Sequence, residues 1–213
     1  MNNAATVKRR RKPVPFPWSD HHFINRNLAL DLANTVVYRT DAARREDRLR
    51  DRTSLLRWCR AAGLPSHLTH SASLAPVLKV RETIDRFFRR AAVLSRLDQD
   101  SWHDVIELYG RYASHLHMAK SIEGAQPVAT QAARHAALPG LFIHSAVALA
   151  LSPRFAKVKV CPACGWLFLD RTRSGNKRWC ITALCGNRSK SRRYYARKRR
   201  GADPSAGLPS RSS

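Results

Sequence analysis

The sequence predicts a mainly α-helical fold: an N-terminal helical domain, then a small four-cysteine module built from a short β-hairpin knuckle and a basic C-terminal helix. Three observations lead there. Apolar residues recur at helical spacing through the middle of the chain, four of the five cysteines fall between positions 161 and 185, and the net charge of +24 is piled at the two ends. The 213 residues suffice for one mid-sized domain and one small module. The expected organisation is a disordered basic arm over 1–20, a helical domain over 21–153, the cysteine module over 157–200 and a disordered tail over 201–213.

The arm carries Lys8 to Lys12 and then a proline-rich stretch, and is assigned no fold. From Ile24 to Tyr38 the chain is apolar around most of a helix, except for a stripe of Asn27, Asp31, Asn34 and Tyr38. An almost wholly apolar helix is a buried one, so this stripe faces a hydrogen-bond network, a loop or a ligand. Asp31 and Asn34 are the candidate ligand contacts. Residues 39–52 are dense in charge and read as a solvated connector. Thr53 to Gly63 is a short helix stopped by Gly63-Leu64-Pro65, with Cys59 in its apolar part as a core residue.

Pro76 to Leu97 gives the clearest helix. Val77, Val80, Ile84, Phe87, Phe88, Ala91 and Leu94 share one face, and Arg81, Glu82, Asp85, Arg86, Arg89 and Arg90 occupy the other. Ser101 and Asp104 resemble a capping box for a following helix that packs Trp102, Ile106, Tyr109, Ala113 and Leu116. Residues 121–138 are ambiguous, with a trace of strand around Val128. Leu141 to Leu151 is a last apolar helix, ended by Ser152-Pro153. It is too short and too interrupted to cross a bilayer, and no signal peptide is recognised, so a cytoplasmic protein without a membrane partner is expected.

The cysteines are spaced Cys161-x2-Cys164, fifteen residues, Cys180-x4-Cys185. Two close pairs at this separation suit one tetrahedral zinc ion, each turn supplying two thiolates. Disulfides are disfavoured in a reducing compartment. So short a module lacks a core, and a structural zinc would supply on the order of 10–16 kcal/mol of folding free energy. Pro162 and Gly165 fit a metal-holding knuckle, with Val158 and Val160 before it and Trp166 and Phe168 after it alternating as two short strands. From Lys157 to Arg200 there are fourteen Lys and Arg against one acid, Asp170, whereas residues 13–156 carry only nineteen basic against thirteen acidic groups. Gly186 allows a turn and Asn187 an N-cap for a helix from Arg188 to about Arg200, basic all round and without an apolar face. Such a helix suits a polyanion.

Phe168-Leu169-Asp170, Arg178-Trp179-Cys180, Cys185-Gly186-Asn187-Arg188 and Lys190-x-Arg192-Arg193 resemble the CGNR-type zinc finger, with a departure at Ile181-Thr182 between the ligands. Leu28-x-Leu30-Asp31-Leu32-x-Asn34-Thr35 resembles the opening motif of the all-helical ABATE domain that precedes such fingers in bacterial stress-induced transcription regulators. The resemblance implies two short strands within 121–138 and a weak suggestion of ligand sensing.

The expected function is that of a zinc-dependent transcriptional regulator bound to double-stranded DNA, its N-terminal domain sensing a ligand or forming a homodimer. Arg188, Lys190, Arg192 and Arg193, nearest the anchor, are the best-placed contacts, with Arg197 and Lys198 adding unspecific affinity. The alternative is an RNA- or ribosome-associated zinc ribbon, in which Trp166, Trp179, Tyr194 and Tyr195 stack on unpaired bases. No enzyme is expected. Asp31 has no histidine or second carboxylate at a telling spacing, and the pairs His21-His22 and His115-x-His117 read as surface residues.

Overall fold

The computed structural model describes residues 16–94, 96–121, 124–129 and 134–201. Most of the basic arm and the tail beyond Gly201 lie outside these residues. Seven helices and three two-stranded antiparallel hairpins are described. In chain order they are α1 (Leu28–Ala33), β1 (Val36–Val37), β2 (Glu46–Asp47), α2 (Arg52–Ala61), α3 (Ser66–Thr69), α4 (Leu74–Leu94) and α5 (Gln99–Ala113). There follow β3 (Leu116–Ser121), β4 (Gly124–Ala129), α6 (Arg134–Ala150), β5 (Val158–Val160), β6 (Leu167–Leu169) and α7 (Asn187–Gly201).

The core forms around α4 and α6. Val77, Val80, Ile84, Phe87 and Phe88 are fully buried, as the spacing predicts, while Leu94 at the exposed end is 42% accessible. On α6, Ala137, Leu138, Phe142, Ile143 and Ala146 are all at zero exposure. Pro139 sits inside this helix, which therefore begins earlier than Leu141. A proline there, the sixth residue of the helix, forfeits one backbone hydrogen bond to the carbonyl four residues earlier. Burying each large side chain returns roughly 1.5–3 kcal/mol, which outweighs that loss.

Other expectations are corrected. The apolar run 24–38 is helical only over six residues. Asn27 caps α1 by accepting from the Leu30 amide at 3.1 Å, and at the far end Val36 and Val37 pair with Asp47 and Glu46 as an antiparallel hairpin. The supposed connector is folded against the core. Leu49 is 1% exposed, and the Asp47 carboxylate takes a bidentate contact from Arg81 at 2.6 and 2.8 Å. Arg39 reaches Glu82 at 2.6 Å and Asp85 at 3.1 Å. These pairs bury much of the charged face of α4, so Arg81 and Asp85 are only 3% and 6% exposed.

The capping site of α5 lies three residues before the expected one. Asp98 accepts from the Ser101 amide at 3.1 Å, and the helix begins at Gln99. Its buried positions are Ser101, Val105 and Leu108, while Ile106 is 39% exposed and Leu116 has left the helix for β3. β3 and β4 pair as the family resemblance implied, but β3 spans Leu116–Ser121 and so begins ahead of the expected stretch 121–138. Cys59 is fully buried, and burial pushes its thiol up to about 12, as befits a core residue.

Candidate metal centre and nucleic-acid interface

The knuckle begins where β5 and β6 pair, Val158 with Leu169 and Val160 with Leu167. Between them Gly165 adopts φ +76°, and its amide donates to the Cys161 carbonyl at 2.8 Å. A side chain in that left-handed conformation would be strained. The turn brings Cys161 and Cys164 to one side. After β6 the chain runs through an irregular loop held by Asp170, which is fully buried. Asp170 accepts from Lys159 Nζ at 2.8 Å, Thr172 Oγ1 at 2.6 Å, and the amides of Thr172 and Lys177 at 3.0 and 2.8 Å. Burial opposes ionisation, but these donors hold its carboxyl well below the usual range.

The loop delivers Cys180 opposite the knuckle, and Cys185 follows on a π-helical turn, Thr182–Gly186. This turn runs straight into α7, so Asn187 is already helical and is not the cap. Gly186 serves close packing: an added Cβ would meet Trp179 Cδ1 at 3.2 Å and Thr182 Cγ2 at 3.4 Å.

The four sulfurs lie within 4.8 Å of one another, all in buried residues. The closest pairs are Cys164 with Cys180 at 3.5 Å and Cys180 with Cys185 at 3.6 Å. Disulfide sulfurs would stand at about 2.05 Å, and all five cysteines are free. Tetrahedral Zn–S bonds of about 2.3 Å place sulfurs roughly 3.8 Å apart. The donor set therefore fits one zinc ion, which when bound would cross-link the knuckle to the root of α7.

The helical domain grips this module through two asparagines. Leu167 donates to Asn34 Oδ1 at 2.9 Å and accepts from Asn34 Nδ2 at 2.8 Å. Leu169 donates to Asn25 Oδ1 at 3.0 Å, while Asn25 Nδ2 donates to Leu167 O at 3.3 Å. The side-chain amides thus take the place of a neighbouring strand along the edge of β6. Asp31 sits behind them, accepting from Asn25 N, Asn25 Nδ2 and Asn27 N at 3.2, 2.9 and 3.2 Å. Burial pushes its carboxyl up to about 6 against the pull of those donors. Asp31 and Asn34, each 3% exposed, belong to an internal hydrogen-bond network, one of the roles open to the stripe, and their bonded atoms point to the protein. Asn25 escaped the sequence reading, and its only signal was a third asparagine in the same apolar run. Leu167 and Leu169 join the main core on one face, while Trp166 and Phe168 pack around the cysteines on the other.

Tyr38, at φ +52°, ties the β1–β2 loop to the knuckle: its amide donates to the Cys164 carbonyl at 3.0 Å, and its hydroxyl accepts from Arg188. His22 is buried rather than superficial, its ring edge-on to Trp166 at 6.1 Å, and burial together with neighbouring His21 pushes it down to about 4.

Arg188, Lys190, Arg192, Arg193, Arg197 and Lys198 are all exposed on α7. Arg188, Arg192, Tyr195 and Arg199 line one face, and Lys190, Arg193 and Arg197 another. Of the aromatics proposed to stack on bases, Trp166 is 6% exposed, whereas Tyr194 and Tyr195 are 57% and 61% exposed. No helix among the described residues is long and apolar enough to cross a membrane.

Two family models match the chain in succession. The ABATE model, described as "Putative stress-induced transcription regulator", matches residues 26–154, and the CGNR zinc finger model matches residues 157–198. No curated protein matches.

Proposed function

Because the chain belongs to the ABATE family of stress-induced transcription regulators and carries a CGNR zinc finger behind that domain, we propose that it regulates transcription by binding double-stranded DNA. One observation carries the reading: a fifteen-residue helix, exposed from Lys190 to Arg199 and rich in arginine, leaves directly from a four-cysteine cluster. Cys161, Cys164, Cys180 and Cys185 hold one zinc. Arg188, Lys190, Arg192 and Arg193 meet DNA nearest the anchor, with Arg197 and Lys198 contributing phosphate contacts further out. An anchored cationic helix of this width suits the major groove, and arginine offers paired donors to guanine edges and phosphates. Residues 21–153 form the sensing or dimerising unit, and the protein works in the cytoplasm. The reading assigns no enzymatic reaction to the chain.

The test is the salt dependence of duplex binding. Six phosphate contacts give a slope of log K against log salt near −5, and each Arg→Ala or Lys→Ala change at a contacting position reduces it by about 1. A slope near zero overturns the reading. Selection from a random duplex pool then separates sequence-specific from unspecific binding.

The exposure of Tyr194 and Tyr195 favours a second reading, binding of unpaired RNA by stacking. Tighter binding of structured RNA than of duplex DNA at matched salt, lost in the double change Tyr194→Ala and Tyr195→Ala, selects it.

A further inference from the structure

A cavity of about 130 Å³ opens where the helical domain meets the root of α7. That is the space of about four water molecules, enough for a small organic acid. Apolar walls come from Ile181 and Leu184, Cys164, Cys180 and Cys185 of the metal cluster close one side, and polar groups come from Arg48, Trp166, Tyr38, Arg188 and the His21–His22 pair.

Two of these polar side chains lack hydrogen-bond partners at buried donors. Nε and Nη1 of Arg48 and Nε1 of Trp166 are buried without a hydrogen-bond partner among the described residues, although Cys164 lies close enough to Arg48 to act on it electrostatically. The nearest carboxylate to Arg48 Nε is Glu46 at 3.9 Å, beyond hydrogen-bond reach. Leaving buried donors unmatched costs about 1–3 kcal/mol each, more for a charged one. Trp166 is 6% exposed and the Arg48 side chain 13%, so bulk solvent meets little of either. The guanidinium is held in place over the Phe16 ring at 4.0 Å. Its backbone amide is fixed too, donating to Thr35 O at 3.0 Å.

The cavity thus offers unpartnered donors, two positive charges and apolar walls beside the cysteines. We infer that it is a seat for a small carboxylate with an apolar body, no larger than a single aromatic ring, whose carboxyl group meets Arg48 and Trp166. A loaded four-thiolate centre carries about −2, which Arg48 and Arg188 offset, so the ligand enters a site of near-zero net charge with its donors unspent. Arg188 lines the cavity and also belongs to the exposed helix. A bound carboxylate that recruits it adds negative charge at the root of α7 and weakens nucleic-acid binding. This effector role rests on the DNA reading; the binding itself does not.

The experiment titrates zinc-loaded full-length protein with benzoate and with benzamide, its neutral isostere, by calorimetry at fixed ionic strength and without DNA. Benzoate is expected to bind at least tenfold more tightly than benzamide. Arg48→Met should weaken benzoate at least tenfold, and Trp166→Phe, which deletes only the indole N–H donor and part of the ring, several-fold. Zinc content and near-UV circular dichroism report whether each variant folds. Should Arg48→Met fail to fold, the benzoate–benzamide contrast in the unmodified protein decides. Equal binding of the two, or none, overturns the seat and leaves Arg48 as a counter-charge to the thiolates. In a second arm, saturating benzoate should weaken duplex binding at least threefold in the unmodified protein only. An unchanged affinity removes the effector role, and a chain that binds no duplex at all still leaves the first arm decisive.

Discussion

Asp31 and Asp170 are both buried, yet they respond to pH with opposite signs. Asp31 has its folded-state value raised from 3.8 to about 6, so between pH 4 and 6 the folded chain holds a proton that the unfolded chain has released. Stability from this group is greatest below pH 4 and falls by roughly 3 kcal/mol as pH rises through 6. Asp170 is depressed, so its contribution is present above the unfolded value and is lost as pH falls through the lower, folded one. Metal release on acidification adds its own slope, shared by closely matched variants, so the difference between proteins is the measure. Asp31→Asn is expected to gain stability relative to the unmodified chain as pH rises from 4 to 7, followed by denaturant unfolding at constant zinc. A constant difference would deny the raised value. Asn34→Ala strands the Leu167 amide in the interior and leaves its carbonyl with only the 3.3 Å contact from Asn25, and about 1–3 kcal/mol of stability should be lost.

Among the elements, legibility followed how local the cause was. The long amphipathic helix α4 declares itself, since its apolar spacing and its burial agree from Val77 to Ala91. The cysteine spacing likewise announces a knuckle, because the turn chemistry of Pro162 and Gly165 lies between its own ligands. What stayed hidden depended on distant partners. The run after Ala33 reads as helix until β2 arrives to pair with Val36 and Val37. The charged residues of 39–52 read as solvated because the partners of Asp47 and Arg39, namely Arg81, Glu82 and Asp85, lie more than thirty residues away. Pro139 reads as a break because its helix is secured by packing and not by propensity. Asn34 reads as part of a polar stripe and Asn25 goes unremarked, and only the edge of β6 explains them.

The helix α7 poses an elementary question of what keeps it wound. It has no apolar face, and fifteen residues is marginal for an isolated helix in water. The π-helical turn bearing Cys185 is its support. Chelation of the metal should therefore unwind α7 first, seen as a loss of far-ultraviolet helical signal equivalent to about those fifteen residues. The signal of α4 and α6 should persist. Simultaneous collapse of all helices would show that the anchor and the core are one cooperative unit.

At the scale of the whole molecule, the metal-binding segment is less separable than its sequence suggests. Leu167 and Leu169 belong to the main core, and the edge of β6 is satisfied by side chains from the beginning of the chain. A fragment comprising residues 157–201 should bind zinc yet remain loosely packed, with weak amide-exchange protection at Leu167 and Leu169. Full protection in the fragment would contradict this view. The same clamp fixes the direction in which α7 leaves the body of the protein.

The length of α7 sets a bound on information. Fifteen residues span about 22 Å, or some six base-pair steps laid end to end along a groove. Six positions define about 4,000 addresses, too few to single out one location among the millions in a chromosome. If the helix reads sequence, a lone copy therefore finds too many places to stop, and a unique landing requires two copies on paired half-sites or a second reader bound alongside.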